Sequence, residues 1–596
     1  MIRFPTREVK VGNRPLGGLN PIRLQSMTNT DTRDVKNTVA QTIKIFEAGA
    51  DYVRISVPDK ESSGNLTAIK SALHRAGFVF PLVADIHYRP ELALDAARIF
   101  EAVRINPGNY TGATRKGKLS WTDKEYQQAG DEIRQNVAPL LAVCREYGCA
   151  VRVGTNFGSL SQRVVWRFGS TPEAMVEATM EFLKAFEELD FYNTVVSLKA
   201  SNPLIMIRSY LLMVERMLQE GMAYPLHVGV TEAGEGEDGR IKSALGISTL
   251  LQAGIGDTIR VSLSEAPEAE IPVAYKIAQP FQAIFTQAPN PGEKFLLKSF
   301  DWKTETPILP EGLKAIVLHH NAESNPDLVV PVDLSELSEA KPVMQIKTLP
   351  GNLQGGYPVF VMDEMIINKT GFHPEFNFIV IQQKPYGSFY EFLKQIPNPI
   401  LLCLTHQNED LFLPELIEQI ELHNIKAAII DCRVFDETEE ELLLVRLAEK
   451  SGPNLLKRKI HGIWAVAPLI ANPARVNQIC FGLLQAAGLR ITKSEFISCP
   501  TCSRTSFDLV SVVKQVKELA GHLPGIKIAI MGCVVNGPGE MADADFGILG
   551  ATQGKVHIYH GNKPVLRNIE QGIAAKELVK LIEQNLEAVG RKNILP

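Results

Sequence analysis

Three cysteines stand at spacings that suit a metal. Cys499 and Cys502 form the C-x-x-C of ISCPTCSR, with Pro500 stiffening the turn, and Cys533 follows the apolar strand IKIAIMG. A C-x-x-C alone would equally allow a redox dithiol. Two thiols from one loop and a third from a Gly-rich loop are the arrangement by which small domains hold zinc or an iron–sulfur cluster. The fourth position is the question. Cys480 lies on the apolar face of the helical stretch ARVNQICFGLLQAAGL, and His522 lies on the far side of a Pro-Gly turn, so neither suits it. Glu540 ends NGPGE, whose glycines let the backbone fold back toward Cys533. Three thiolates select a soft centre, and a carboxylate is a harder, more weakly held partner. Such a site has one metal position whose protein ligand can leave, which is an arrangement for catalysis rather than electron storage alone.

A second set of residues lies at the ends of short apolar strands in the N-terminal half: Arg54, Asp85, His87, Arg104, Asn106, Arg152, Asn156, Lys199, Glu232, Arg260 and Ser262. Five of these are cations, on five different strands. Taken singly, each would ordinarily pair with a carboxylate. Crowded at one mouth they would cost free energy unless a polyanion fills the space between them. Arginine offers a planar fork and lysine a point charge, a mixture that fits phosphate or diphosphate. Glu232 and His87 are the acid/base candidates. Burial would raise the pKa of Glu232 and neighbouring cations would lower it, with a salt bridge as the plain alternative, and His87 reads better as a phosphate donor.

The elements that position these residues repeat a unit of strand, turn, helix and glycine from Ile22 onward. The strands are IRLQSMT, DYVRISVP, PLVADIHY, AVRINPGN, AVRVGTNFGS, NTVVSLKAS, YPLHVGVTEAG and DTIRVSLSE. Eight βα units predict a closed parallel TIM (β/α)8 barrel over residues 1–288, with an open doubly wound sheet as the competitor. A Pro/Asn/Gly-rich link, QAPNPGEK, opens residues 289–484, where further strands (KAIVLHH, PVFVMDEM, FNFIVIQQK, PILLCLTH, KAAIIDC, GIWAVAP) predict a second α/β domain, barrel-like and structural, with Cys403 and Cys432 as buried thiols. Residues 485–596 form the α/β (α+β) domain that carries the three cysteines.

Composition agrees with an ordinary soluble globular protein of two to four domains. The chain has 596 residues and a formal charge of -5, so attraction to nucleic acid or anionic membrane is not built into the whole molecule. No signal sequence, presequence or membrane span is legible, and eight cysteines in this length do not make a disulfide framework. The expected location is the cytoplasm.

The motifs QSMTNTDT, VRISVP, ADIHY, VRINPGN, VRVGTNFGSL, SLKAS, VGVTEAG, TIRVSLSE, ISCPTCSR and MGCVVNGPGEMADADFG, in that order, resemble those of the 4-hydroxy-3-methylbut-2-en-1-yl diphosphate synthase family of the methylerythritol phosphate route to isoprenoids. The middle region resembles the insertion of that family's plant and chlamydial type. The resemblance implies one 4Fe-4S cluster on Cys499, Cys502, Cys533 and Glu540. It also implies contacts to 2-C-methyl-D-erythritol 2,4-cyclodiphosphate from Arg54, His87, Arg104, Arg152, Asn156, Lys199, Arg260 and Ser262, with Glu232 as proton donor. The implied reaction is a two-electron reductive ring opening with loss of water, fed by flavodoxin or ferredoxin. In the family's short members the cluster domain of one subunit covers the barrel of another. Here the insertion is expected to act as a spacer that lets the C-terminal domain reach its own barrel, with a homodimer still allowed. Two other readings compete. One is a pterin- or corrinoid-binding methyltransferase-like barrel with a zinc-holding tail. The other is an iron–sulfur carrier with a degenerate barrel.

Overall fold

The computed structural model describes residues 2–593 apart from 87–88, 111–119, 291, 298–315, 320–327, 330–343, 349–356, 363–371, 375, 407–411, 503 and 535–536. His87, one of the substrate contacts expected from the sequence, therefore lies outside the described residues. Two compact units are present: residues 1–298 together with 493–596, and residues 299–492.

In the first unit eight parallel strands form the barrel expected from the βα repeat: β1 Arg23–Met27, β2 Tyr52–Val57, β3 Leu82–Ile86, β4 Ala102–Ile105, β5 Ala150–Asn156, β6 Thr194–Lys199, β7 His227–Val228 and β8 Thr258–Ile259. Their order is β6-β5-β4-β3-β2-β1-β8-β7, and a single bridge, Val196↔Leu226, joins the two ends. β5 is buried at all seven positions, as a strand between a filled interior and a helical layer must be. The N-terminal ribbon, which the sequence reading assigned to no element, folds on itself through the Val9↔Leu16 bridge and plugs the barrel floor.

Residues 495–570 add a five-stranded sheet to the same unit: β17 Glu495–Ser498, β18 Lys527–Met531, β19 Phe546–Gly550, β20 Lys555–His560 and β21 Lys563–Glu570. β17 to β19 run parallel, and β20 and β21 return antiparallel as a ribbon. The helix Leu509–Ala520 begins at Asp508, whose side chain accepts from Ser511 N–H. Its apolar stripe, Leu509, Val512, Val513 and Val516, packs on one sheet face at the i, i+3, i+4, i+7 spacing of an amphipathic helix.

The second unit is also a barrel. Its strands β9 Ile316–His319, β10 Leu328–Val329, β11 Met344–Thr348, β12 Tyr357–Val361, β13 Asn377–Ile381, β14 Pro399–His406, β15 Ala428–Val434 and β16 Gly462–Val466 close on themselves. Only β11 runs against the rest. The sequence reading missed β10 and β11, because one is two residues long and the other, MQIKT, is half polar. Phe378, Val380, Leu402, Ile430, Cys432 and Trp464 fill the interior. Asp431 faces the other way and accepts from Ser451 of the helix Glu440–Leu456 at 2.7 Å.

Candidate active site

Inward-facing residues two apart on a barrel strand fall in successive layers. Tyr52, Val83, Ala102, Ala150 and Val195 make an apolar floor with Val9, Val11 and Leu16. Two residues further along the same strands are Arg54, Asp85, Arg104, Arg152 and Ser197. Barrels of this class ordinarily continue with branched aliphatics at such a layer, and here it is charged. Arg54, Arg104 and Arg152 thus stand mid-strand within the barrel, lower than the strand ends at which sequence reasoning placed them.

Two of the five expected cations have carboxylate partners. Arg104 donates to Asp85 at 3.0 Å, to Gly154 O at 2.7 Å and to Asn156 at 3.2 Å. A Cβ on Gly154 would lie 2.4 Å from Arg104 Nε, so only glycine admits this arrangement. Arg260 forks onto Glu270, with both bonds at 3.1 Å. Among the described residues no carboxylate comes within ion-pair distance of Arg54, Arg152 or Lys199. Arg54 donates to the Met27 sulfur at 2.8 and 3.0 Å. Arg152 donates across the barrel to Gln25 at 2.7 Å, leaving its Nε and one terminal nitrogen buried and unpartnered. Burial, reinforced by the other cations, pushes Arg54 down to about 9 and moves Lys199 and Arg152 well below their ordinary ranges. A guanidinium does not readily give up its proton, so this crowding is a cost that a bound polyanion removes. His227 on β7, which the sequence reading did not single out, is buried 3.3 Å from Thr258 Oγ1 and is kept neutral by burial and the same cations.

The C-terminal domain roofs this layer. β17 continues the barrel edge through the Ala233↔Ser498 bridge, and Ser264 bonds the Ser498 hydroxyl at 2.7 Å and Cys499 O at 3.0 Å. Asn29 donates to Thr501 at 2.9 Å, and Lys242 donates to Phe496 O at 3.1 Å. Between roof and barrel lies a cavity lined by both domains. Arg54, Arg104, Asn156, Lys199, Glu232, Arg260 and Ser262 line it from the barrel, and Cys499, Cys502, Arg504 and Cys533 from the roof. Of the expected site residues, Arg152 lies off the cavity wall. Asn106 is spent on structure, donating to Ser159 at 2.8 Å and accepting from Gly108 N–H at 3.0 Å.

Glu232 makes no ion pair among the described residues, so the salt-bridge alternative is not what forms. Burial, and then Glu540 opposite, raise its pKa well above the carboxylate range. Glu540 is also buried and raised, although Glu232, Gly158 N–H and Ser201 all bond its charged form. Gly158 N–H donates to Glu540 Oε1 at 3.0 Å. The approach there is close enough to need glycine on both sides. A Cβ on Gly158 would lie 2.5 Å from Glu540 Cγ, and one on Gly539 would lie 1.7 Å from Gly158 O. Gly158→Ala is therefore expected to unseat the roof at a cost of about 1–3 kcal/mol. Hydrogen exchange should then rise at the Ser498–Cys499 edge while the barrel floor stays protected. Unchanged exchange at that edge would contradict this.

The donor set fits an iron–sulfur group. Three soft thiols converge from two loops, Cys499 Sγ accepts from Gly532 N–H at 3.2 Å, and burial raises the Cys499 thiol. Glu540 Oε2 is buried with no partner, a hard donor held in reserve. Among the described residues no three His, Cys, Asp or Glu side chains are gathered to hold a single ion. Each protein ligand of a cubane holds a different iron, so a spread set is what such a group requires. Thr501 between the cysteines and Glu232 opposite have φ of 61° and 53°. Left-handed backbone at such residues costs about 1–3 kcal/mol and gathers at functional sites.

Family models match two stretches of the chain, a GcpE TIM-barrel domain over residues 6–275 and a GcpE protein C-terminal domain over residues 495–584. Relatives named 4-hydroxy-3-methylbut-2-en-1-yl diphosphate synthase (flavodoxin) are 38% identical in Bacteroides fragilis, covering 98% of this chain and 96% of that one, and 39% identical in Parabacteroides distasonis, covering 97% of each. A chloroplastic relative from Arabidopsis thaliana, named for ferredoxin, is 36% identical over 98% of this chain and 87% of its own length.

Proposed function

Since the chain belongs to the GcpE family, whose members matched here are 4-hydroxy-3-methylbut-2-en-1-yl diphosphate synthases, we propose that it reduces 2-C-methyl-D-erythritol 2,4-cyclodiphosphate to (E)-4-hydroxy-3-methylbut-2-enyl diphosphate. Two electrons and two protons enter, the bond from carbon to the bridging phosphate oxygen breaks, and one oxygen leaves as water. The observation that carries this reading is the shared cavity, with under-neutralised cations on one side and three thiols on the other.

Arg54, Arg104, Lys199 and Arg260, with His87, Asn156 and Ser262, hold the diphosphate and take up the charge that develops on it as the ring opens. Arg152 reinforces the field from within the barrel. Glu232, kept protonated by burial, hands its proton to the departing oxygen. One 4Fe-4S cluster on Cys499, Cys502, Cys533 and Glu540 supplies single electrons and Lewis acidity when bound. Glu540, a harder and more weakly held donor than the three thiolates, would be the exchangeable one of the four. Flavodoxin or ferredoxin provides the electrons. Among the described residues no helix is long and apolar enough to cross a membrane, and none of the cysteines forms a disulfide; the location proposed is the cytoplasm. The inserted barrel, its interior filled with apolar side chains, serves as a spacer, so each chain turns over on its own cavity even within a homodimer.

The test is anaerobic purification with iron and sulfide analysis, followed by turnover of the cyclic diphosphate with a chemical reductant. A colourless, sulfide-free protein, or one that leaves the substrate intact, rejects the reading. Rescue of activity on mixing an Arg54 variant with a Cys499 variant would reject the single-chain version.

A further inference from the structure

The roof contributes a cation that neither the cysteine spacing nor the barrel periodicity singled out. Arg504 follows the C-x-x-C by two residues and lines the cavity opposite Arg54 and Arg104. It lies against Cys502, and one terminal nitrogen reaches Asp85 Oδ2 at 3.8 Å. The other oxygen of Asp85 is held by Arg104 at 3.0 Å. Its Nε and other terminal nitrogen are buried and have no hydrogen-bond partner.

Each unmatched buried donor costs about 1–3 kcal/mol, more for a charged group. A guanidinium serving only as a strut would turn those donors toward a carbonyl or carboxylate. Here they stay unmatched inside a cavity that holds Arg54, Arg104, Lys199 and Arg260. Placing another cation among these raises the repulsion, so an anion entering the cavity is the acceptor these donors fit.

Resting on the function proposed above, we infer that Arg504 is a substrate-binding and cluster-positioning residue: it braces the Cys502 sulfur with one edge and offers the other to the diphosphate. The anion site is then complete only when the C-terminal domain is seated on the barrel.

The test uses the anaerobically prepared full-length holoenzyme with Arg504→Gln and Arg504→Lys, and inorganic pyrophosphate as the binding probe. Arg504→Gln should bind pyrophosphate about 10- to 100-fold more weakly, the worth of a charge-assisted pair, and raise KM for the cyclic diphosphate similarly. The cluster potential should move to a more negative value, because a positive charge beside a thiolate ligand is gone. Arg504→Lys should recover the potential and part of the binding, keeping the charge without the fork. Wild-type affinity and potential in Arg504→Gln would overturn the inference and leave Arg504 as a strut. A wild-type protein without iron or without turnover would instead reject the function, while the pyrophosphate measurements would still report on Arg504.

Discussion

Glu232→Gln is expected to keep its iron and sulfide and to lose about 10²–10⁴-fold in kcat, the usual worth of a positioned general acid. Glu232 is only 4% exposed, lies on the cavity wall with left-handed backbone, and has no cation partner among the described residues. Its Oε2 is buried without a partner. Burial first and Glu540 second hold its proton on well above the usual carboxylate range. Glutamine keeps the size and the hydrogen-bonding ability but has no proton to transfer. The acid must be protonated to act, so wild-type kcat should fall as pH rises through the Glu232 pKa. The glutamine variant should lack that limb. Single-turnover rates with a chemical reductant, taken across pH on protein of verified iron content, measure this. A variant within twofold of wild type would remove Glu232 from the mechanism.

Glu540→Ala should lose at least about 10²-fold in kcat/KM while retaining much of its iron in a more oxygen-labile form. Two separate roles are lost together. The three thiolates remain to hold the cluster, but the exchangeable fourth donor is gone. The roof also loses its seat on the barrel, because Gly158 N–H and Ser201 no longer have the carboxylate they donate to. A buried bond to a charged group contributes about 1.5–3 kcal/mol, so docking alone accounts for roughly a tenfold to hundredfold effect. Iron-to-protein ratio before and after brief exposure to air, with hydrogen exchange at residues 156–159, separates the two roles. Normal lability with raised exchange would leave Glu540 as a latch only, and full activity would exclude both.

The short apolar strands and the βα repeat made the N-terminal barrel legible, because a parallel strand buried on both faces leaves a nearly continuous apolar run such as AVRVG. The half-polar MQIKT of the inserted barrel left no such trace. Arg504 was hidden for a different reason: a lone arginine after a cysteine motif has no periodicity, and its importance comes from a barrel layer 307 to 450 residues earlier in the chain. Asn106 shows the reverse error. Its place after a strand is the same as that of functional residues, but its side chain turns to Ser159 and Gly108.

Residue types and spacing by themselves determined the chemistry available to this chain: soft thiols in one domain and surplus cations in another, whatever the fold does with them. Charge balance and proton occupancy were decided only in three dimensions. Asp85 and Glu270 neutralise two of the five expected cations, and Glu232 meets another carboxylate instead of a cation. Coulomb energy and desolvation depend on separations of a few ångströms and on the loss of water, and both are set by chain segments far apart in sequence.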